Sequence, residues 1–260
     1  MSKIAVIIDK EWAEVFKNRL VSYTVLFLPL LFTGLPLFIL YTISRGGEDL
    51  SAAGLPQYAG ICGGLTGSEC TQVVMMQQFL MMFMMIPVAL PSVIAAYSIV
   101  GEKTTRCLEP LLATPIETVE LIAGKGLAAV IPAVVATWAA FVVFAIGARI
   151  MVASPAVFSR MLGLTWPLAV LILGPLMAVA SVIVSVIVSS RVNDPRTAEQ
   201  ISMLMIVPVL LLFFAALAGL FVLDARFILA VAAALLFVDG GLIYLGTRLF
   251  RREVILTQWR

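Results

Sequence analysis

The chain contains no histidine in 260 residues. That removes the commonest general base near neutral pH and the commonest metal ligand, and with it any HExxH zinc site. Cysteine is scarce too: Cys62, Cys70 and Cys107 are too few and too scattered for a zinc or iron–sulfur centre. Charge is the third shortage, at 12% against roughly a quarter in a soluble domain. No phosphate-binding loop is present, because Gly124-Lys125-Gly126 lacks the upstream glycine spacing and the Ser or Thr after lysine. There is no GxSxG elbow. Asp224 and Asp239 are the acids of the last apolar hairpin, but Asp224 falls at its turn and Asp239 well inside, so they do not form an intramembrane aspartyl pair. No internal repeat supports an inverted-repeat carrier. No enzymatic activity, catalytic residue, bound cofactor or metal is therefore expected. The near-neutral net charge of +2 gives no sign of a nucleic-acid partner.

What fills the chain instead is apolar: 62% of residues, with a mean hydropathy of +1.10. No soluble fold hides that much apolar surface, so the bilayer is the solvent for most of it. Continuous apolar runs occur at 21–43, 73–100, 119–148, 164–189, 200–223 and 227–247. Each approaches or exceeds the roughly 20 residues that cross the hydrocarbon core as a helix. The runs do not alternate, which excludes a barrel. The expectation is an all-α integral membrane protein of six transmembrane helices, a single domain over 1–260. Asp224 and Arg226 separate the last two runs, by either a tight turn or a re-entrant pair. Pro29, Pro36, Pro87, Pro91, Pro132, Pro175 and Pro208 each remove a backbone donor and predict breaks. Six methionines in the second run, from Met75 to Met85, offer either an adaptable surface for a greasy substrate or ordinary packing.

Residues 1–20 predict an amphipathic interfacial helix. Ile4, Ile8, Trp12, Val15, Phe16 and Leu20 recur at three- and four-residue spacing, with Lys3, Lys10, Glu14 and Lys17 elsewhere. Asp9, Lys10, Glu11 and Glu14 interrupt any signal-peptide core. With the N-terminus inside, thirteen Lys and Arg fall on the inner side and four on the outer. Both termini are therefore expected in the cytoplasm of a cell-membrane protein. The outer loop 44–72 is Gly-rich and holds Cys62 and Cys70, which an oxidising exterior permits to pair and which are otherwise free thiols. Asp194-Pro195 reads as the cap and first turn of the fifth helix.

Between the second and third runs lies the densest charge in the chain, Gly101 to Lys125. Thr104 to Ala113 has helical spacing, with Leu108, Leu111 and Leu112 on one side. Thr114-Pro115-Ile116-Glu117 reads as a helix start with a capping threonine and proline in the first turn. A shaped docking element, 101–118, is expected here, on the cytoplasmic side. Inside the bilayer, Asp239 is a costly carboxylate. With Gln77 and Gln78 it is a candidate for a translocation path; a neutral Asp239 bonded to a neighbouring helix is the equal alternative.

Glu102-Lys103-Thr104-Thr105-Arg106-Cys107-Leu108-Glu109-Pro110-Leu111-Leu112-Ala113-Thr114-Pro115-Ile116, followed by Glu120-Leu121 and Gly124-Lys125, resembles the signature of ABC transporter permeases of the type 2 exporter class. Asp194 to Ala198 and Arg252 to Thr257 are similar to the same family. The match departs at Cys107, where a smaller residue is usual. The resemblance implies the permease subunit of an ATP-driven exporter. It would pair with a second permease, as homo- or heterodimer, and with a separate cytoplasmic ATPase that holds ATP and Mg. It further implies that 101–116 is a coupling helix docking into that ATPase, with Glu102, Lys103, Arg106 and Glu109 at a polar rim, Leu108, Leu111 and Leu112 in an apolar contact, and Thr114-Pro115 at its end. Lipid surrounds the spans, and their apolar character favours a lipophilic cargo. The competing readings are an ion-coupled carrier or channel working without an ATPase, and a membrane-anchored assembly subunit.

Overall fold

The computed structural model describes residues 3–46, 62, 64–65, 67–104, 118–152, 154–192 and 194–249. Every regular element among them is helical. Six helical stretches are long and apolar enough to cross a membrane: Val21–Arg45, Ser68–Ser98, Glu120–Met151, Pro155–Ser189, Arg196–Leu217 and Ala225–Gly246. These are spans one to six below. The helix Lys3–Val15 precedes them. The end of the bundle that carries this helix is the base, and the opposite end is the top.

Span two is the hub, 89% buried, whereas spans one, five and six are about one-fifth buried and turn apolar side chains outward. Met76, Met81, Met84 and Met85 lie inside this hub, so the methionines pack the core. Spans two and four run parallel and close. Ser181 Oγ donates to the Val88 carbonyl at 2.5 Å, and Ser185 Oγ to that of Ser92 at 3.2 Å. Small residues at four-residue spacing let two backbones approach, and the hydroxyls give each helix a hydrogen bond in lipid. Nearer the top, Trp166 of span four is fully buried against Phe144 of span three, ring centroids 4.6 Å apart, and Phe83 of span two at 5.7 Å. Gly147 of span three lies so close to span one that a Cβ there would stand 2.8 Å from Leu37.

The proline breaks have particular solutions. Span two bends at Met84–Met85, and a new helix starts at Ile86 with Pro87 in its first turn, where a missing N–H costs little. Span four widens into a π turn at Ala169–Leu173, where Gly174 N bonds the Ala169 carbonyl. In that register Val170 is the carbonyl that residue 175 would serve, and residue 175 is proline. The Trp138 indole fills the place, donating to the Val170 carbonyl at 3.2 Å.

Several boundaries differ from the sequence expectation. Span one stays helical to Gly46 and span two starts at Ser68, so the loop expected over 44–72 is shorter at both ends. Span four gains an eight-residue helix, Pro155–Leu162, in what reads as loop from hydropathy. Its Val157 and Met161 are buried. Spans five and six are each long enough to cross, span five with a 3-10 turn at Met203–Met205; residues 218–224 join them, and Asp224 Oδ1 caps the start of span six, accepting from Phe227 N at 2.7 Å. Cys62 and Cys70 are joined at the top as a disulfide, Cα atoms 5.2 Å apart. Asp194 caps the base of span five, accepting from Thr197 N at 2.9 Å and from its hydroxyl at 2.8 Å.

Candidate functional site

The N-terminal helix lies across the base and touches both helices that flank the charged segment. Its buried face is Ile7, Glu11 and Val15, with Trp12 half-buried. This corrects the expected face: Phe16 is 38% exposed, and an acid occupies the middle of the packed side. Glycine lets the helix in. A Cβ at Gly124 of span three would stand 2.8 Å from Ile7 Cγ2, so any larger residue would push the two helices apart. Trp12 Nε1 donates to the Ala128 carbonyl one turn further along, at 2.9 Å.

Between these contacts sits a buried polar cluster. Glu11 is 2% exposed and Lys125 8%. Lys125 Nζ donates to Glu11 Oε1 at 2.9 Å and to Ser98 Oγ at 3.3 Å. Ser98 Oγ donates to Glu11 Oε2. Lys10 Nζ, half-exposed, stands 3.4 Å from Glu11 Oε1 and 3.4 Å from Glu14 Oε2. At the rim, Lys3 Nζ pairs with Glu120 Oε2 at 3.2 Å. Burial pushes the Glu11 carboxyl up. The Lys125 charge and the Ser98 hydroxyl outweigh that and hold it below its ordinary value.

The topology gives this cluster its meaning. Ser98 lies near the C-terminal end of the helix Ile86–Thr104, and Lys125 near the N-terminal end of the helix Thr118–Met151. Those two ends bracket residues 105–117. One carboxylate on the N-terminal helix thus ties both sides of the bracket together. A buried pair of this kind is a poor source of net stability, but removing either partner strands the other charge. The arrangement therefore fixes geometry: the N-terminal helix and the ends of spans two and three move as one unit or separate at a cost.

The residues singled out from sequence fall in three groups. Arg106, Leu108, Glu109, Leu111, Leu112, Thr114 and Pro115 lie outside the described residues. Glu102 and Lys103 occupy the last turn of the helix ending at Thr104. Gln77 is near the top, donating through Nε2 to the Leu223 carbonyl at 2.8 Å. Gln78 is its half-buried neighbour. Asp239 is 4% exposed, on the face of span six that meets the bundle. It stands about 21 Å along the axis from the start of that span at Ala225, so it and Gln77 are at different depths. Sequence reasoning met Glu11 only as a charge that interrupts a signal-peptide core, and it missed Ser98. It met Lys125 only as the end of a motif, and the spacing of Ile4, Ile7, Ile8 and Val15 around Glu11 was the available signal.

The family profile described as "ABC-2 family transporter protein" matches residues 5–238. No curated protein matches the chain. The matched range takes in the N-terminal helix from Ala5 on, all but the last turns of span six, and the Glu11–Ser98–Lys125 cluster.

Proposed function

Since the chain belongs to the ABC-2 family of transporter proteins, and is thus the membrane-spanning permease component of an ABC transporter, we propose that it is an exporter subunit driven through its base by a separate ATPase. That partner binds ATP and Mg, and a second permease completes the pathway. The base faces the cytoplasm of the cell membrane, where the excess of Lys and Arg over the top favours it. The segment 101–118 docks into the ATPase. Closure of the ATPase on ATP displaces the segment, and the ends of spans two and three carry the displacement into the bundle. This chain itself hydrolyses nothing.

The observation that carries this reading is the Glu11–Ser98–Lys125 cluster. A charged loop between two independent helices could move without consequence. Here both helix ends are tied to a third helix through one buried carboxylate, so force on the segment 105–117 must tilt that base as a unit. Span two, which takes the force, is also the hub of the bundle.

The test is co-expression with an ABC ATPase encoded beside it, followed by co-purification, ATP hydrolysis and transport in vesicles. Glu102→Ala and Arg106→Ala should leave the permease folded and the hydrolysis rate intact while transport falls. Normal transport in both variants removes these two residues from coupling. Full-rate transport by the purified chain with no ATPase present removes the whole reading, in favour of an ion-coupled carrier or channel.

A further inference from the structure

A groove of about 350 Å³ lies between spans three, four and six on the base side of the bundle. Ile122, Gly126 and Val130 of span three, Val179 and Val186 of span four and Ile243 of span six are among its walls. None of the described residues that line it is polar or charged. An apolar hollow of this size forfeits packing contacts unless something fills it.

Asp239, Ile243 and Gly246 are at i, i+4 and i+7 on span six, so they share one stripe of the helix. The stripe faces span four: a Cβ at Gly246 would meet Ile183 Cγ2 at 3.7 Å. Asp239 stands about 6 Å deeper than Ile243 along that stripe. It is 4% exposed, and neither carboxylate oxygen has a hydrogen-bond partner among the described residues. A carboxylate in a membrane interior is costly without a partner. The nearby cation on span three, Lys125, is turned to Glu11 on the other side of that helix end. The unpartnered carboxylate thus stands one helical turn from Ile243, the nearest wall of the groove on span six, and a molecule with an apolar body and a positive end fits both. A lipid chain would fill the hollow and leave Asp239 alone, and a neutral head could donate a hydrogen bond to Asp239 but would leave its charge uncompensated. An anion would place like charge beside it.

We propose that this groove binds a lipophilic cation, with its apolar body between spans three, four and six and its positive charge at Asp239. As the cargo site of a transporter this rests on the permease reading above; as a binding site it does not.

The test uses the full chain in nanodiscs of zwitterionic lipid, without an ATPase. Tetraphenylphosphonium and tetraphenylborate are hydrophobic ions of similar size and opposite charge. The cation should bind saturably and the anion should not. Asp239→Asn should weaken the cation about tenfold or more, the loss expected for one charged partner. Gly246→Leu should fill the groove and block binding with Asp239 still in place. Melting temperature and monodispersity establish that each variant is folded. If Asp239→Asn fails to fold, the comparison of cation and anion on the unaltered chain decides. The proposal is overturned if wild type shows no saturable cation binding, if the anion binds as well, or if Asp239→Asn or Gly246→Leu binds the cation undiminished. Should binding hold while no ATPase drives transport of the probe, the groove is not the cargo site and stands as a binding site alone.

Discussion

Replacing Lys125 by methionine should loosen the N-terminal helix from the bundle. The change keeps most of the volume and removes the charge that faces Glu11 at 2.9 Å. Breaking a buried pair by removing one partner costs about 3–5 kcal/mol. The lower end applies here, because Lys10 Nζ remains 3.4 Å from the same carboxylate oxygen and Ser98 still donates to the other. About 3 kcal/mol corresponds to somewhat more than a hundredfold in an opening equilibrium. Hydrogen exchange of the amides of Lys3–Val15 is the direct readout, since those amides are protected only while their helix stays docked. Glu11→Gln should act similarly, leaving the ammonium buried without its carboxylate. Glu11→Met with Lys125→Met should lose much less than the sum of the two single losses, because no stranded charge remains. Acid should imitate the mutation. The Glu11 carboxyl is held below its ordinary value of 4.5 by Lys125 and Ser98 against the opposing effect of burial. Its stabilisation is therefore complete above 4.5 and is lost as the pH falls through the lowered value in the folded state. Glu11→Gln should abolish that dependence. The reasoning fails if Lys125→Met exchanges like wild type, or if the double replacement costs as much as both singles together.

Gly124→Val should displace the N-terminal helix by an independent route. A Cβ already stands 2.8 Å from Ile7, the overpacking costs about 1–3 kcal/mol, and Ile7→Ala should restore much of the loss in a thermal melt. Trp138→Phe removes the indole that serves the Val170 carbonyl and should cost about 1–3 kcal/mol by leaving that oxygen bare. Adding Pro175→Ala to it should recover stability by returning a backbone N–H, and failure of that rescue in a denaturation series would refute the account of the π turn. Asp194→Ala should fray the start of Pro195–Ser202, seen as faster exchange there. Hydrogen bonds from the Thr197 hydroxyl and amide hold the Asp194 carboxyl below its ordinary value. Wild type should therefore lose this cap as the pH falls through that lowered range, and the alanine variant should show no such step.

Hydropathy settled the outline, six spans. Six apolar runs longer than a bilayer is thick leave only a helical bundle, because every backbone N–H in lipid needs a partner within its own segment. The Asp194-Pro195 cap was legible for the same reason: its hydrogen bonds are local, made within three residues. The order of residues in the charged segment, through its resemblance to a known signature, also pointed to the family without tertiary information. What composition could not say was which span becomes the hub. All six runs are similarly greasy, and burial of span two depends on how the others wrap around it.

The carboxylate of Glu11 shows the limit most sharply. Along the chain it sits among Asp9, Lys10 and Glu14 and reads as one more solvated charge on a surface helix. Its partners are 87 and 114 residues away, and only the crossing of that helix over Gly124 brings them within reach. Asp239 is the converse case. Its position inside an apolar run marked it from the sequence as unusual, yet nothing local could tell whether a neighbouring helix offers it a donor. The tertiary structure places an apolar groove one turn away instead. Short-range hydrogen bonds and transfer free energies are properties of a segment and are written in it; the pairing of distant charges and the shape of a cavity belong to the packing of segments against one another.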